Sequence, residues 1–225
     1  MSNKYERGKH AVIAVDVAVF TIINKSLNVL LIQTNKAELK GQWALPGGLV
    51  RIDENLDEAV ERVLKDKTNI TGVLYDQLES FGDPKRDPFG RVVSVAYVAL
   101  IHADKYLLKT TDQYESIKWQ PLKSVPKLAY DHNLITKKGI ERLKSKIQYS
   151  NLARGILPNE FTLTELQDVY ESILDRELDK RNFRKKIQEI GLVVSTGKKE
   201  TGKKNRPAEL FKFKKKSLEY FGGLI

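Results

Sequence analysis

The sequence predicts an α+β protein built in two parts, and three observations lead to that class. Residues 10–34 alternate apolar and polar side chains with many β-branched residues, the two-residue period of strands. Leu56, Ala59, Val60, Val63 and Leu64 recur at i, i+3, i+4, i+7 and i+8, the stripe of an amphipathic helix. The third observation is the uneven charge. Residues 179–216 hold 14 Lys and Arg against 4 Asp and Glu, an excess equal to the +10 of the whole chain.

The first part reads in order. "AVIAVDVAVFTI" and "LNVLLIQT" are strands joined by the turn signal "NKS", so a hairpin is expected. One helix follows over about 55–68. "GVLYDQLESFG", "VVSVAYVALIHA" and "SIKWQPL" read as further strands. A second helix runs from Asp131 to about Ile147, with Ile140, Leu143 and Ile147 on one face. These elements make a domain of ordinary size, assigned to residues 1–150.

"NLARGILPNEF" interrupts the pattern with Gly and Pro and reads as a linker into a second domain, residues 151–225. Thr162 stands three before Glu165, a capping box, and Leu163, Leu166, Val169, Tyr170, Ile173 and Leu174 line one helical face. A second helix starts at Asp179 and stops at Gly191. Its apolar stripe is narrow: Phe183, Ile187 and Ile190. "LVVST" and "AELFKFK" are short strands joined by the basic, glycine-rich "GKKETGKKNRP".

Composition removes several function classes. With 41% hydrophobic residues, 225 residues can bury one large core or two small ones. Cysteine is absent, which excludes disulfides and thiolate metal sites. No apolar run approaches the ~20 residues that span a bilayer, and "MSNKYERGKH" lacks the apolar core of a signal peptide. A cytoplasmic protein with no membrane partner is expected.

Helix, turn, basic helix and basic hairpin is the order of a winged helix-turn-helix. The thin stripe of the second helix docks it and leaves its other faces for a major groove. Candidate DNA contacts are Lys180, Arg181, Asn182, Arg184, Lys185 and Gln188 on that helix. Asn, Gln and Arg suit base edges, and Lys suits phosphates. Lys198, Lys199, Lys203, Lys204 and Arg206 on the hairpin would follow the backbone or a minor groove. A double-stranded DNA partner is favoured over single-stranded RNA, whose binders interleave aromatics with basic residues. Phe183, Phe211 and Phe213 read as core.

"GQWALPGGLVRIDENLDEAVERVLKDKTNI" resembles the Nudix box, a loop-helix-loop motif. Gly48, Glu54, Arg62, Leu64 and Ile70 occupy motif positions, with the spacing intact over the 23 residues from Gly48 to Ile70. "WALPGG" and "FGDPKRDPFGRVVSVAYVAL" are similar to Nudix segments around ADP-ribose. The resemblance implies an α/β/α sandwich with a mixed sheet. The departures fall on the chemistry. The family's helix glutamates hold Mg²⁺ or Mn²⁺, yet here they are Val63, Asp66 and Lys67, and its glycine is Asn69.

On a helix, positions 63, 66, 67 and 70 share one side. Val63 supplies no oxygen there. A Lys67 charge ~4 Å away opposes a metal by about 4 kcal/mol at intermediate dielectric. Asp66 and Glu54 alone are poor ligands for an octahedral ion. The expectation is therefore no bound metal, no cofactor, no catalytic residue and no enzyme activity. What remains is a pocket that binds without cutting. Its candidate residues are Trp43 for stacking, then Arg51, Glu54, Arg86, Asp87 and Arg91. Trp43 reads equally as core, Arg86 and Asp87 as a pair holding the loop, and Glu54 as a partner for Lys67 or Arg62. The two glycines of "PGG" are expected to serve a tight turn.

A degenerate Nudix domain before a basic winged helix resembles the Nudix-related transcriptional regulators, the NrtR family, across essentially the whole chain. The resemblance implies a homodimeric repressor sensing an ADP-ribose-like metabolite or a pentose sugar. Two other readings stand beside it: a Mg²⁺-dependent hydrolase of ADP-ribose or a related nucleoside diphosphate compound, and a nucleic-acid module with a purely structural first domain.

Overall fold

The computed structural model describes residues 10–109, 114–200, 207–215 and 218–223. Close packing of the backbone separates the described residues into two compact units, one drawn from residues 1–21 and 28–139 and the other from residues 22–27 and 140–225.

The first unit is organised by a seven-stranded mixed sheet. Its central strand β1 (Val12–Ile23) turns through Asn24 and Lys25, at φ 49° and 59°, into β2 (Ser26–Thr34). Two successive positive φ values are the turn that matches strand twist, and Asn tolerates them well. β3 (Trp43–Ala44) pairs with β2, and β4 (Gly47–Leu49) pairs antiparallel with β1. After helix α1 (Leu56–Thr68) come β5 (Tyr75–Phe81), β6 (Val92–Leu100) and β7 (Tyr114–Pro121). β6 joins β1 in parallel, from Val12 against Val92 to Phe20 against Leu100. The remaining pairings, β5 with β6 and β7 with β2, are antiparallel.

The strand period sorts β1 onto two faces. Val15, Val17 and Val19 cluster with Ala59, Val60, Val63 and Leu64 of α1. Ala18 and Phe20 face the second helix α2 (His132–Lys146), where a Cβ on Gly139 would lie 2.9 Å from the Phe20 ring. Glycine there lets the helix approach the sheet closely. The arrangement is the expected α/β/α sandwich.

α1 opens with a capping box between Asn55 and Glu58. It closes on Asn69, left-handed at φ 60°. Asparagine fills a place that glycine takes in the Nudix box because both accept that conformation. "PGG" requires a correction. Gly47 and Gly48 are not among the positive-φ residues and lie in a strand rather than a tight turn. Gly47 is needed for space, since a Cβ there would fall on Asp16 Oδ1.

The second unit holds α3 (Leu163–Leu174), α4 (Lys180–Ile190) and the antiparallel hairpin β8 (Val193–Lys199) and β9 (Glu209–Phe213). Thr162 and Glu165 form the expected capping box. Asp179 caps α4 through the Asn182 amide, and Gly191 ends it at φ 66°. Phe183 and Ile187 are buried, and the Phe183 ring meets Tyr170 edge-on at 5.2 Å. Phe161 exchanges backbone hydrogen bonds with Phe211, and its ring lies 4.9 Å from Phe213. This is the helix-helix-wing order expected from the sequence. Among the described residues, no helix is long and apolar enough to cross a membrane.

Candidate functional site

A cleft with an interior of about 70 Å³ lies over the Asp16 face of β1. At its floor is a buried network. Arg86 donates from Nη2 to Asp16 Oδ2 at 3.0 Å and to Asp131 Oδ1 at 2.8 Å, and from Nε to Asp131 Oδ2 at 2.9 Å. Ser94 Oγ donates to Asp16 Oδ2 at 2.6 Å. His132 Nδ1 accepts the Leu45 amide at 2.9 Å, which leaves Nε2 to carry the proton, 3.3 Å from Asp16 Oδ1.

Burial pushes the Asp16 pKa up, but His132, Ser94 and Arg86 together outweigh burial and hold it well below the usual carboxylate range. For Arg86, burial pulls the pKa down and the two carboxylates more than reverse it. Sequence reasoning missed Asp16, Asp131 and His132. One signal was visible: Asp16 is the single charged residue in the twelve of β1.

Lys67 enters the same cleft from α1. Its Nζ donates to the Gly47 carbonyl and lies 5.0 Å from the centroid of the Tyr114 ring. Burial pulls its pKa down to about 8, against the raising field of Asp16. Lys36 lines the mouth, with Nζ 3.4 Å from the Tyr130 hydroxyl and 5.4 Å from the Phe89 ring centroid.

Arg86 and Asp87 line this cleft, but the Arg86 fork is engaged by Asp16 and Asp131 rather than paired with Asp87. Asp87 accepts the Phe89 amide at 2.8 Å. Arg51 lines a different cleft, beside Arg62, Asp66 and Tyr75. Glu54 accepts from Arg62 at 2.5 and 2.7 Å and from the Arg51 amide at 2.8 Å. The Arg62 hydrogen bond, the largest cause, holds the Glu54 pKa down at about 2. Arg91 donates to the Gly82 carbonyl at 2.9 Å. Trp43 is half-buried, with Lys118 Nζ 4.0 Å from its ring centroid. Asp66 is exposed and does not join Lys67 in the first cleft, which corrects the convergence expected from helical spacing.

A divalent metal does not fit these residues. Val63 is fully buried in the core, Lys67 brings an ammonium, and Glu54 is neutralised by Arg62. Among the described residues, no group of three or more His, Asp or Glu is placed to hold a metal ion.

In the second unit the basic face of α4 is displayed outward. Lys180, Arg181, Asn182, Lys185 and Gln188 are exposed. Helical geometry sets Arg181, Lys185 and Gln188 opposite the Phe183–Ile187 stripe. Arg184 sits at the flank and donates to Thr164 Oγ1 at 3.2 Å, and Lys185 pairs with Glu189 at 3.8 Å. On the hairpin, Lys198 and Lys199 are exposed, with Lys198 2.8 Å from Glu160. Lys203, Lys204 and Arg206 lie outside the described residues.

Comparison with known proteins accords with this division. The profile of the NUDIX domain matches residues 12–143, and that of the NrtR DNA-binding winged helix domain matches residues 153–213. An ADPR responsive transcriptional repressor from Acinetobacter baylyi is 39% identical over 88% of this chain and 80% of its own length. An ADP-ribose pyrophosphatase from Methanocaldococcus jannaschii is 35% identical over 60% of this chain and 76% of its own. NrtR of Shewanella oneidensis, crystallised with a 27mer DNA, superposes with a TM-score of 0.77 at 34% identity, covering 90% of this chain and 93% of that one. Its NUDIX domain, crystallised with ADP ribose, covers 62% of this chain and 94% of that one, at 33% identity and a TM-score of 0.57. The chain belongs to the NrtR-type transcriptional regulators, in which a Nudix domain precedes a DNA-binding winged helix domain.

Proposed function

We propose that this protein is a transcriptional repressor whose grip on double-stranded DNA responds to ADP-ribose or a close relative of it. Residues 1–150 form the effector domain and residues 151–225 the DNA-binding domain. The effector site is the cleft over Asp16, with Arg86, Asp87 and Tyr130 among its walls. Arg181, Lys185 and Gln188 enter the major groove, Asn182 and Arg184 flank them, and Lys180, Lys198 and Lys199 meet phosphates. Two copies of the chain bind together, because paired recognition helices read half-sites one turn apart. Such work on chromosomal DNA takes place in the cytoplasm. α2 and the linker after it carry the effector signal, which requires that the effector favour one of two states.

The observation that carries this reading is the amine of Lys67 inside the cleft over Asp16. A hydrolase of this fold needs a carboxylate there to collect its metal. The cleft therefore retains a ligand without cutting it. The similarity to an ADP-ribose pyrophosphatase favours a second reading, in which slow metal-dependent hydrolysis persists.

The test starts from a duplex that the protein itself selects from a randomised library. Fluorescence anisotropy of that complex is followed while ADP-ribose, ribose or arabinose is added. Release by ADP-ribose supports the proposal. Release by a pentose alone assigns the sensor to sugars, and no response to any of them sinks the sensor reading.

A further inference from the structure

We propose that Lys67 takes over the role of a metal ion, serving as the fixed cation that binds the diphosphate of a nucleotide effector, with Lys36 as the second cation at the mouth. This rests on the effector reading above and specifies its chemistry.

The cleft supplies the reasons. An ammonium has three donors. One Lys67 donor is engaged by the Gly47 carbonyl, which aims Nζ at the cleft and leaves two for phosphate oxygens. A Cβ on Gly48 would press on Val63 Cγ2 at 3.3 Å and lie in ordinary contact with Lys67 Nζ at 3.7 Å, so the lysine amine runs close along this strand. The buried cation of the cleft, Arg86, is not available in the same way. Arg86 makes three charged hydrogen bonds to Asp16 and Asp131. Asp16, the acid nearest in effect to Lys67, is itself occupied by Arg86, Ser94 and His132, so it does not neutralise Lys67 fully. Lys36 lines the same cleft, its amine resting against Tyr130 and Phe89. A half-buried ammonium with spare donors, and a second lysine lining the same cleft, fit an anion that carries two linked phosphates.

A consequence follows for ion dependence. A hydrolase of this fold binds a diphosphate through divalent cations. Here the cation is covalently part of the chain, so effector binding needs no added metal.

Isothermal titration of the full chain tests this, with ADP-ribose and inorganic pyrophosphate as separate probes, in EDTA and in Mg²⁺. The wild type should bind both probes with equal affinity in the two buffers. Lys67→Gln should weaken both by about ten- to a hundredfold, the worth of a charged hydrogen bond. Lys67→Arg should recover most of the loss, and Lys36→Gln should weaken binding by a smaller factor. Thermal melting verifies that each variant is folded, and Lys36 is exposed enough that its replacement leaves the fold intact. Binding that requires Mg²⁺, or unchanged binding in Lys67→Gln, overturns the proposal. So does a wild type that binds neither probe. If both probes bind through Lys67 yet ADP-ribose leaves DNA binding unchanged, the lysine clamp stands and the effector reading fails.

Discussion

Lys67 Nζ donates to the carbonyl of Gly47, so a lysine of α1 reaches the first residue of β4 across the cleft. Burial drives its pKa down to about 8 from 10.5. Such a group costs stability while protonated. The unfolded chain binds the extra proton between pH 8 and 10.5, so stability rises with pH across that window. Lys67→Met should therefore melt at a higher temperature than the wild type at pH 7, while losing diphosphate binding. The gap should narrow as pH rises from 8 towards 10.5. Calorimetry of both proteins across that range checks it, and a variant that melts lower at pH 7 contradicts it.

Arg86 has a different role. Its guanidinium is held by Asp16 and Asp131, with a side-chain exposure of 3%. Arg86→Met strands two carboxylates beside the core and should destabilise the protein by about 3–5 kcal/mol. Chemical denaturation measures this directly. A variant of wild-type stability that merely binds effector less well would show that Arg86 is a ligand residue and not a strut.

Acid should unfold the first unit through Asp16 and Glu54. Asp16 and Glu54 both have pKa values below those of free carboxylates. Their contribution is complete above the unfolded values near 4 and is lost as pH falls towards 2. Asp16→Asn should flatten that acid slope and lower stability at pH 7. An unchanged slope argues against the network.

The second unit offers a simpler case. The Tyr170 hydroxyl is buried and has no hydrogen-bond partner among the described residues, while its ring packs on Phe183. Tyr170→Phe keeps the ring and removes an unpaired polar group. Stability should rise by about 1 kcal/mol. A loss of similar size would mean that the hydroxyl has a partner after all.

On α4, removing a phosphate contact and removing a base contact should differ in kind. Lys180→Ala should weaken all duplexes alike and reduce the salt slope of binding by about one. Arg181→Ala and Gln188→Ala should relax preference at defined base positions, at about 1–3 kcal/mol each. Binding to selected and scrambled duplexes over a salt series separates the two effects.

Much of the fold was legible because its signals are local. The stripe of α1, the Thr162–Glu165 box, the Asp179 cap and the Gly191 stop all lie within a few residues of what they control. The cleft was not legible, because its parts meet only after folding. Asp16, Arg86 and His132 are brought together from β1, a loop and α2. The parallel pairing of β1 with β6 carries no short-range turn signal, and β3 and β4 are too short to show a period. Arg51, Glu54 and Arg91 are charged and lie near the motif, which is all the sequence shows of them. In the fold Glu54 and Arg91 bind parts of their own neighbourhood, and Arg51 lines another cleft. In the sequence Lys67 shows only as a charge opposed to metal; its reach to Gly47 inside the cleft exists only in the fold.

The most direct measurement follows two signals in one sample: anisotropy of the DNA complex and release of AMP, after ADP-ribose is added with excess Mg²⁺. The expected result is dissociation from DNA while ADP-ribose stays intact. Rapid AMP formation that depends on Glu54 or Asp66, with DNA binding indifferent to the intact nucleotide, would contradict it.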